Sequence, residues 1–234
     1  MVLYNDFEAE PSSYFEIELC ATKTLLDLLS KEKYMEYCKG KYSILDVVEI
    51  DFQKRFPSWS LVYVEDDNPI LAGKEAGTSF KNHRIYIRES DINKIGTKKG
   101  GRTLMSLGHE LGHIQMGHEV YFSESLLAAR SRKHREIPVC RRGDWQAEAF
   151  GSAIVMPFEA VSCIVEQCMD KDGVLNRDIC MKRIVKIFSV SKRAASKRIE
   201  NFAKLKKGGK VECIKKELIS MKTTPFRVTT PNTW

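Results

Sequence analysis

Two histidines and a glutamate stand close together in the stretch 109–113, which reads HELGH. Residues four positions apart lie on one face of an α-helix, so the imidazoles of His109 and His113 can bind one metal ion. Glu110 follows the first histidine, which places its carboxylate beside the metal, where it can act as a general base. This His-Glu-x-x-His spacing predicts a catalytic Zn²⁺ site.

A catalytic zinc site needs a third protein ligand and one open position for water. The predicted helix that begins at Asp144 supplies two candidates, because Asp144 and Glu148 are four residues apart and share a face. One carboxylate can bind the metal while the other hydrogen-bonds a ligand histidine. Asp144 is the preferred ligand and Glu148 the substitute. The alternative is that both are ordinary helix carboxylates, with Asp144 as an N-cap.

Two further polar residues, His118 and Tyr86, lie near this stretch or before it. His118 follows His113 by five residues, which turns it about 140° away from His113 on an ideal helix. We therefore expect His118 to be a helix-end residue rather than a ligand. Tyr86 lies on a predicted strand, where a substrate strand could add to a sheet edge, although a purely structural aromatic is the favoured interpretation.

The elements that hold these residues can be predicted from hydrophobic spacing. Apolar residues at helical intervals predict helical stretches over residues 14–38, 43–56, 102–118, 144–156 and 158–169. β-Branched and aromatic residues predict strands at 61–64 and 84–88, joined by a loop over 73–81. The polar, basic residues 123–143 are expected to form a long loop, or a loosely held helix and loop.

The net charge of +7 hides a strong asymmetry along the chain. Residues 181–234 contain 15 Lys or Arg and 3 Asp or Glu, a charge of +12, which leaves −5 for residues 1–180. Such a difference indicates two units with different partners. The basic unit should contain two short helices with a tight turn at 189–191. Its exposed face is a candidate for binding the DNA backbone, or is a docking or solvated surface, and would carry Lys192, Arg193, Lys197 and Arg198.

The stretches LMSLGHELGHIQMGH and DWQAEAFGSAIVMP resemble the ImmA/IrrE family of bacterial and phage metallopeptidases. Asp144 occupies the position of the family's usual glutamate ligand, and Glu148 that of its Asn or Asp. The expected fold is α+β, with a zincin-like metallopeptidase domain over residues 1–170. A basic, helix-turn-helix-like domain and tail, similar to the unit that follows the peptidase in that family, is expected over residues 171–234.

The resemblance implies a zinc-dependent endopeptidase that makes a limited, site-specific cut in a helix-turn-helix transcriptional repressor. The alternative is a DNA-binding regulator or toxin-antitoxin component that keeps the zinc site without proteolysis. Glu110 favours the peptidase, because a structural zinc site needs no base there. The first residues lack the features of a secretory signal, and no apolar run reaches the roughly 18 residues of a membrane span. A cytoplasmic protein with no membrane partner is therefore expected.

Overall fold

The residues that the computed structural model describes are 7–71, 73–97, 100–121 and 137–223. They form the predicted α+β fold, in which helices outnumber strands. The helices are α1 (Tyr14–Leu28), α2 (Lys31–Cys38), α3 (Ile44–Asp46), a π-helical segment (Val47–Phe52), α4 (Gln53–Arg55), α5 (Glu89–Ile92), α6 (Gly100–Gln115), α7 (Gly143–Val155), α8 (Phe158–Gln167), α9 (Arg177–Phe188), α10 (Lys192–Lys207) and α11 (Lys210–Thr223). Short 3₁₀ helices span His118–Tyr121 and Val139–Arg141.

The sheet has three strands: β1 (Ser60–Val64), β2 (Ala76–Ser79) and β3 (Arg84–Arg88). Their order is β1-β3-β2, with β1 parallel and β2 antiparallel to β3. The predicted strands at 61–64 and 84–88 are confirmed. Ile85, Tyr86 and Ile87 on the central strand β3 are all buried, and because successive residues of a strand point to opposite faces, both faces of β3 are covered.

One prediction about the sheet is wrong. The segment 73–81, predicted as a loop, contains β2, whose sequence AGTS lacks the bulky residues that mark a strand. Tyr86 is a buried residue of the central strand, in agreement with the favoured structural interpretation, and because that strand is paired on both sides it offers no edge to a substrate. Among the described residues, the unpaired sheet edges belong to β1 and β2. The predicted basic segment 123–143 is described only from residue 137 onward, and its residues 123–136 lie outside the described part of the chain.

The two helices predicted to hold the metal ligands, α6 and α7, pack tightly against each other at glycines. A Cβ atom at Gly108 would lie 3.1 Å from the Cα of Gly151, and a Cβ at Gly151 would lie 2.8 Å from the backbone nitrogen of His109. Larger residues at these positions would therefore push the helices apart. The glycines set the separation between the two elements that carry the predicted site.

The basic unit contains the two predicted helices, α9 and α10, and the predicted turn between them. Ser189 adopts a left-handed conformation with φ of 53°, and the Ser191 hydroxyl caps α10 by accepting a hydrogen bond from the backbone of Ala194. This unit shares one continuous hydrophobic core with the rest of the described chain. One such contact joins the rings of Phe158 and Phe202, with centroids 5.7 Å apart. The domain boundary at residue 170 stays a prediction.

Arg198 corrects the prediction of an exposed basic face. Lys192, Arg193 and Lys197 are exposed, but Arg198 is fully buried, with 0% of its surface exposed. Its guanidinium forms a two-bond ion pair with the carboxylate of Glu18 on α1 and donates to the carbonyl oxygen of Met156 at 2.9 Å. Arg198 therefore ties α10 to α1 and to the end of α7, and it cannot contact nucleic acid.

Within the part of the chain that the structure describes, no single helix has the length and apolar character to cross a bilayer. The pair α7 and α8 meets the criterion only when joined, and it bends by 64° at the break between them.

Candidate metal centre

The two histidines of the HELGH stretch converge, as their spacing predicts. His109 and His113 lie on α6, and their Nε2 atoms are 3.0 Å apart with the rings nearly perpendicular. His113 is buried, at 5% exposure, whereas His109 is half-buried. Both imidazoles therefore point toward one position, which is open to solvent on the side of His109.

Helix α7 adds a carboxylate to this pair. Oδ1 of Asp144 lies 3.6 Å from Nε2 of His113, and the ligand atoms of His109, His113 and Asp144 all lie within 4.8 Å of one another. Glu148, one turn further along α7, is exposed and is not part of this cluster. The three residues could hold a metal ion, and this grouping favours Asp144 over Glu148 as the third candidate ligand.

The carboxylate of Glu110, the residue that follows His109 on α6, is anchored by a contact with the sheet. Its Oε2 accepts a hydrogen bond of 2.8 Å from the hydroxyl of Thr78, and the side chain is 9% exposed. Thr78 lies on β2, which packs against α6. Strand β2 was not predicted, so sequence reasoning missed this partner of the candidate base.

His118 is a second residue whose role the sequence did not indicate. Helix α6 ends before Gly117, whose positive φ of 68° turns the chain so that His118 approaches the helix again. Nδ1 of His118 then lies 2.9 Å from Nδ1 of His113, and its Nε2 lies 3.0 Å from Oε1 of Gln146 on α7. His118 is thus a partner of a candidate ligand, although it is not in the metal cluster.

Burial keeps both of these imidazoles neutral. Removal from water lowers the pKa of His118 to about 4, against a smaller opposing effect of the hydrogen bond with Gln146. Burial, followed by the neighbouring rings of His109 and His118, holds the pKa of His113 well below its usual range. Neutral imidazole is the form of histidine that binds metals.

The segment that precedes α1 covers this part of the site. The backbone nitrogen of Ala9 donates to the carbonyl of Arg141 at 2.7 Å, and that of Gly143 donates to the carbonyl of Phe7 at 3.0 Å. The Phe7 ring packs edge-on against His118, with centroids 5.1 Å apart. This apolar cover explains the burial of His118, and the spacing of residues in the sequence contains no signal for it.

Searches of family models, curated proteins and solved structures return no match to this chain. The residues of the site and their geometry are therefore the basis on which a function can be inferred.

Proposed function

We propose that the protein is a zinc-dependent endopeptidase that makes a limited, site-specific cut in a protein substrate. The observation that carries this proposal is the convergence of His109, His113 and Asp144 on one point, with Glu110, whose carboxylate Thr78 holds, directly after His109 on the same helix. Three protein ligands and an adjacent general base are the parts of a hydrolytic zinc site, whereas a structural site takes four ligands and needs no base.

The donor set and its spacing fit zinc. Two imidazole nitrogens and one carboxylate oxygen are ligands that Zn²⁺ accepts, at bond lengths of about 2.0–2.2 Å. Tetrahedral ligand atoms around such an ion lie roughly 3.3–3.5 Å apart. The 3.0 Å between the histidine nitrogens and the 3.6 Å between His113 and Asp144 lie on either side of that spacing.

The residues around the ion would perform the proton transfers of peptide hydrolysis. A bound Zn²⁺ supplies polarisation of the peptide carbonyl and activation of water. The carboxylate of Glu110 would take a proton from the attacking water and deliver it to the nitrogen of the leaving amine. The hydroxyl of Thr78 holds one oxygen of that carboxylate, so the base keeps a fixed direction during the reaction.

Strand β2 supports a polypeptide as the substrate. It pairs with β3 on one side only among the described residues, and it contacts the helix that carries the site. An extended peptide can add to such an edge through backbone hydrogen bonds. This would bring a peptide bond of the added strand toward the residues on α6.

The resemblance to the ImmA/IrrE family supports a helix-turn-helix transcriptional repressor as that substrate, in the cytoplasm. The stretches that carry it include all four site residues, His109, Glu110, His113 and Asp144. The non-proteolytic DNA-binding regulator is less well supported, because Arg198 is buried and only Lys192, Arg193 and Lys197 remain on the proposed DNA-binding face.

The test is co-expression with helix-turn-helix repressors encoded near the gene, with repressor length followed on a gel. The proposal predicts a shorter repressor with the wild-type protein and the intact length with His113→Ala. Purified protein should lose the activity on chelation and regain it with Zn²⁺. Cleavage that persists after chelation, with zinc shown to be absent, would contradict the proposal.

A further inference from the structure

A continuous chain of hydrogen bonds runs from α7 to the candidate ligand His113. Oε1 of Gln146 lies 3.0 Å from Nε2 of His118, and Nδ1 of His118 lies 2.9 Å from Nδ1 of His113. All three side chains are buried, with Gln146 at 2% exposure and His118 at 0%. Each hydrogen bond in such a chain joins one atom that carries the hydrogen and one that accepts it, so fixing the donor at one end fixes the donor in every bond.

The amide of Gln146 fixes the direction at its end of the chain. Its nitrogen lies 2.7 Å from the carbonyl oxygen of Glu10 and 2.8 Å from that of Cys140. Backbone carbonyls only accept hydrogen bonds, so the amide nitrogen must face them and donate both of its hydrogens. The amide oxygen, which only accepts, is then the atom that faces His118.

The two imidazoles follow from this orientation. Nε2 of His118 must carry a hydrogen in order to donate to Gln146. A neutral imidazole has one N–H, so Nδ1 of His118 is an acceptor. Nδ1 of His113 must therefore carry the hydrogen that lies between the two rings. Nε2 of His113 is left with a lone pair, and this is the atom that faces His109 and Asp144.

We propose that Gln146 and His118 form a positioning relay that holds His113 in the Nδ1–H tautomer, with the Nε2 lone pair directed at the metal. This inference rests on the proposed metal site. The relay also restricts rotation of the His113 ring, because Nδ1 is held toward His118 while Nε2 faces His109 and Asp144. The ligand is thus prepared before the ion binds, which removes a rearrangement from the binding step.

Variants of His118 and Gln146 separate the relay from simple packing. His118→Leu and Gln146→Leu remove the relay and should weaken Zn²⁺ binding about 10- to 100-fold, measured by competition with a chromophoric chelator. His118→Asn keeps a carbonyl oxygen that can accept from Nδ1 of His113, so its affinity should lie closer to that of the wild type. The matched control is Tyr121→Phe, which removes the hydrogen bond from the Glu10 nitrogen to the Tyr121 hydroxyl, keeps the side chains of the relay and should leave zinc affinity unchanged.

The tautomer can be observed directly in the zinc-free protein. ¹⁵N NMR of the histidine rings should show a protonated Nδ1 and an unprotonated Nε2 for His113 in the wild type. The His118→Leu protein should lose this pattern while remaining folded by circular dichroism. A protonated Nε2 in the wild type, or an unchanged zinc affinity in folded His118→Leu, would overturn the relay.

Failure of the relay and failure of the proposed function give different results. If the wild-type protein binds zinc and cleaves the repressor but His113 is protonated at Nε2, the relay is wrong and the peptidase stands. If the tautomer is as predicted and zinc binding depends on His118, but no repressor is cut, the relay stands without the peptidase.

Discussion

The hydroxyl of Thr78, on the edge strand β2, donates a 2.8 Å hydrogen bond to Oε2 of Glu110 on α6. The two residues are 32 positions apart in the chain and belong to different elements. This bond connects the strand on which we expect a substrate to lie with the carboxylate that we expect to act as the base. We therefore expect a peptide bound along β2 to lie against the same strand that holds the Glu110 carboxylate in place.

Loss of the Thr78 hydroxyl should slow cleavage without removing the metal. A hydrogen bond to a charged group contributes about 1.5–3 kcal/mol, so Thr78→Ala should lower kcat/KM about tenfold or more. Thr78→Ser, which keeps the hydroxyl, is the matched control and should retain most of the activity. Zinc content should be equal in all three proteins. Wild-type activity in Thr78→Ala would show that Thr78 does not position the base.

The buried ion pair between Arg198 and Glu18 should be important for stability. Both side chains are fully buried, so Arg198→Met leaves the Glu18 carboxylate without its partner in the core. We expect the free energy of unfolding to fall by about 3–5 kcal/mol, measured by urea denaturation. Arg193→Met, on the exposed face of the same helix, should change it by no more than about 0.5 kcal/mol. Equal stability of the two variants would contradict the structural role of Arg198.

The close approach of α6 and α7 should make Gly151 sensitive to a single methyl group. A Cβ there would lie 2.8 Å from the backbone nitrogen of His109, and backbone atoms within packed helices cannot move aside easily. Gly151→Ala should cost about 1–3 kcal/mol of stability and weaken zinc binding, because the helix carrying Asp144 is displaced. The control is Gly208→Ala, where the nearest atom would be 3.4 Å away. If zinc affinity is unchanged in Gly151→Ala, the spacing of the two helices does not set the site.

The exposed basic residues of α10 should be dispensable for proteolysis. Reversing the charge of Lys192, Arg193 and Lys197 leaves the core and the metal cluster untouched, so zinc content and repressor cleavage should remain at wild-type levels. Any affinity of the wild type for duplex DNA should fall steeply with salt and be lost in the triple variant. Loss of cleavage in a folded triple variant would instead assign this face to substrate binding.

The sequence predicts the parts of the site that depend on local geometry. The spacing of His109 and His113 is sufficient to place both imidazoles on one helical face, and the turn at Ser189 can be predicted from the chain around it. The sequence favours Asp144 over Glu148 but leaves the substitute open, because the choice depends on how α7 lies against α6. That arrangement is set by the glycine contacts between the two helices.

The missed features all depend on contacts between distant segments. Thr78 lies on a strand of small residues, which forms because β3 pairs with it rather than through its own propensity. Ideal-helix spacing turns His118 away from His113, but the chain turns at Gly117 and brings the two rings together. Helical spacing predicts an exposed Arg198, and it contains no signal for the buried partner Glu18, which is 180 residues away in the chain.

The most direct test of the central claim is the rate of repressor cleavage by Glu110→Gln, with zinc content measured on the same samples. The amide is nearly isosteric with the carboxylate and is not a predicted ligand, so zinc should stay bound and the fold should be unchanged. The amide cannot accept a proton from water, so cleavage should fall about 10²- to 10⁴-fold or below detection. Equal cleavage of the repressor by wild type and Glu110→Gln, at equal zinc content, would contradict the proposed mechanism.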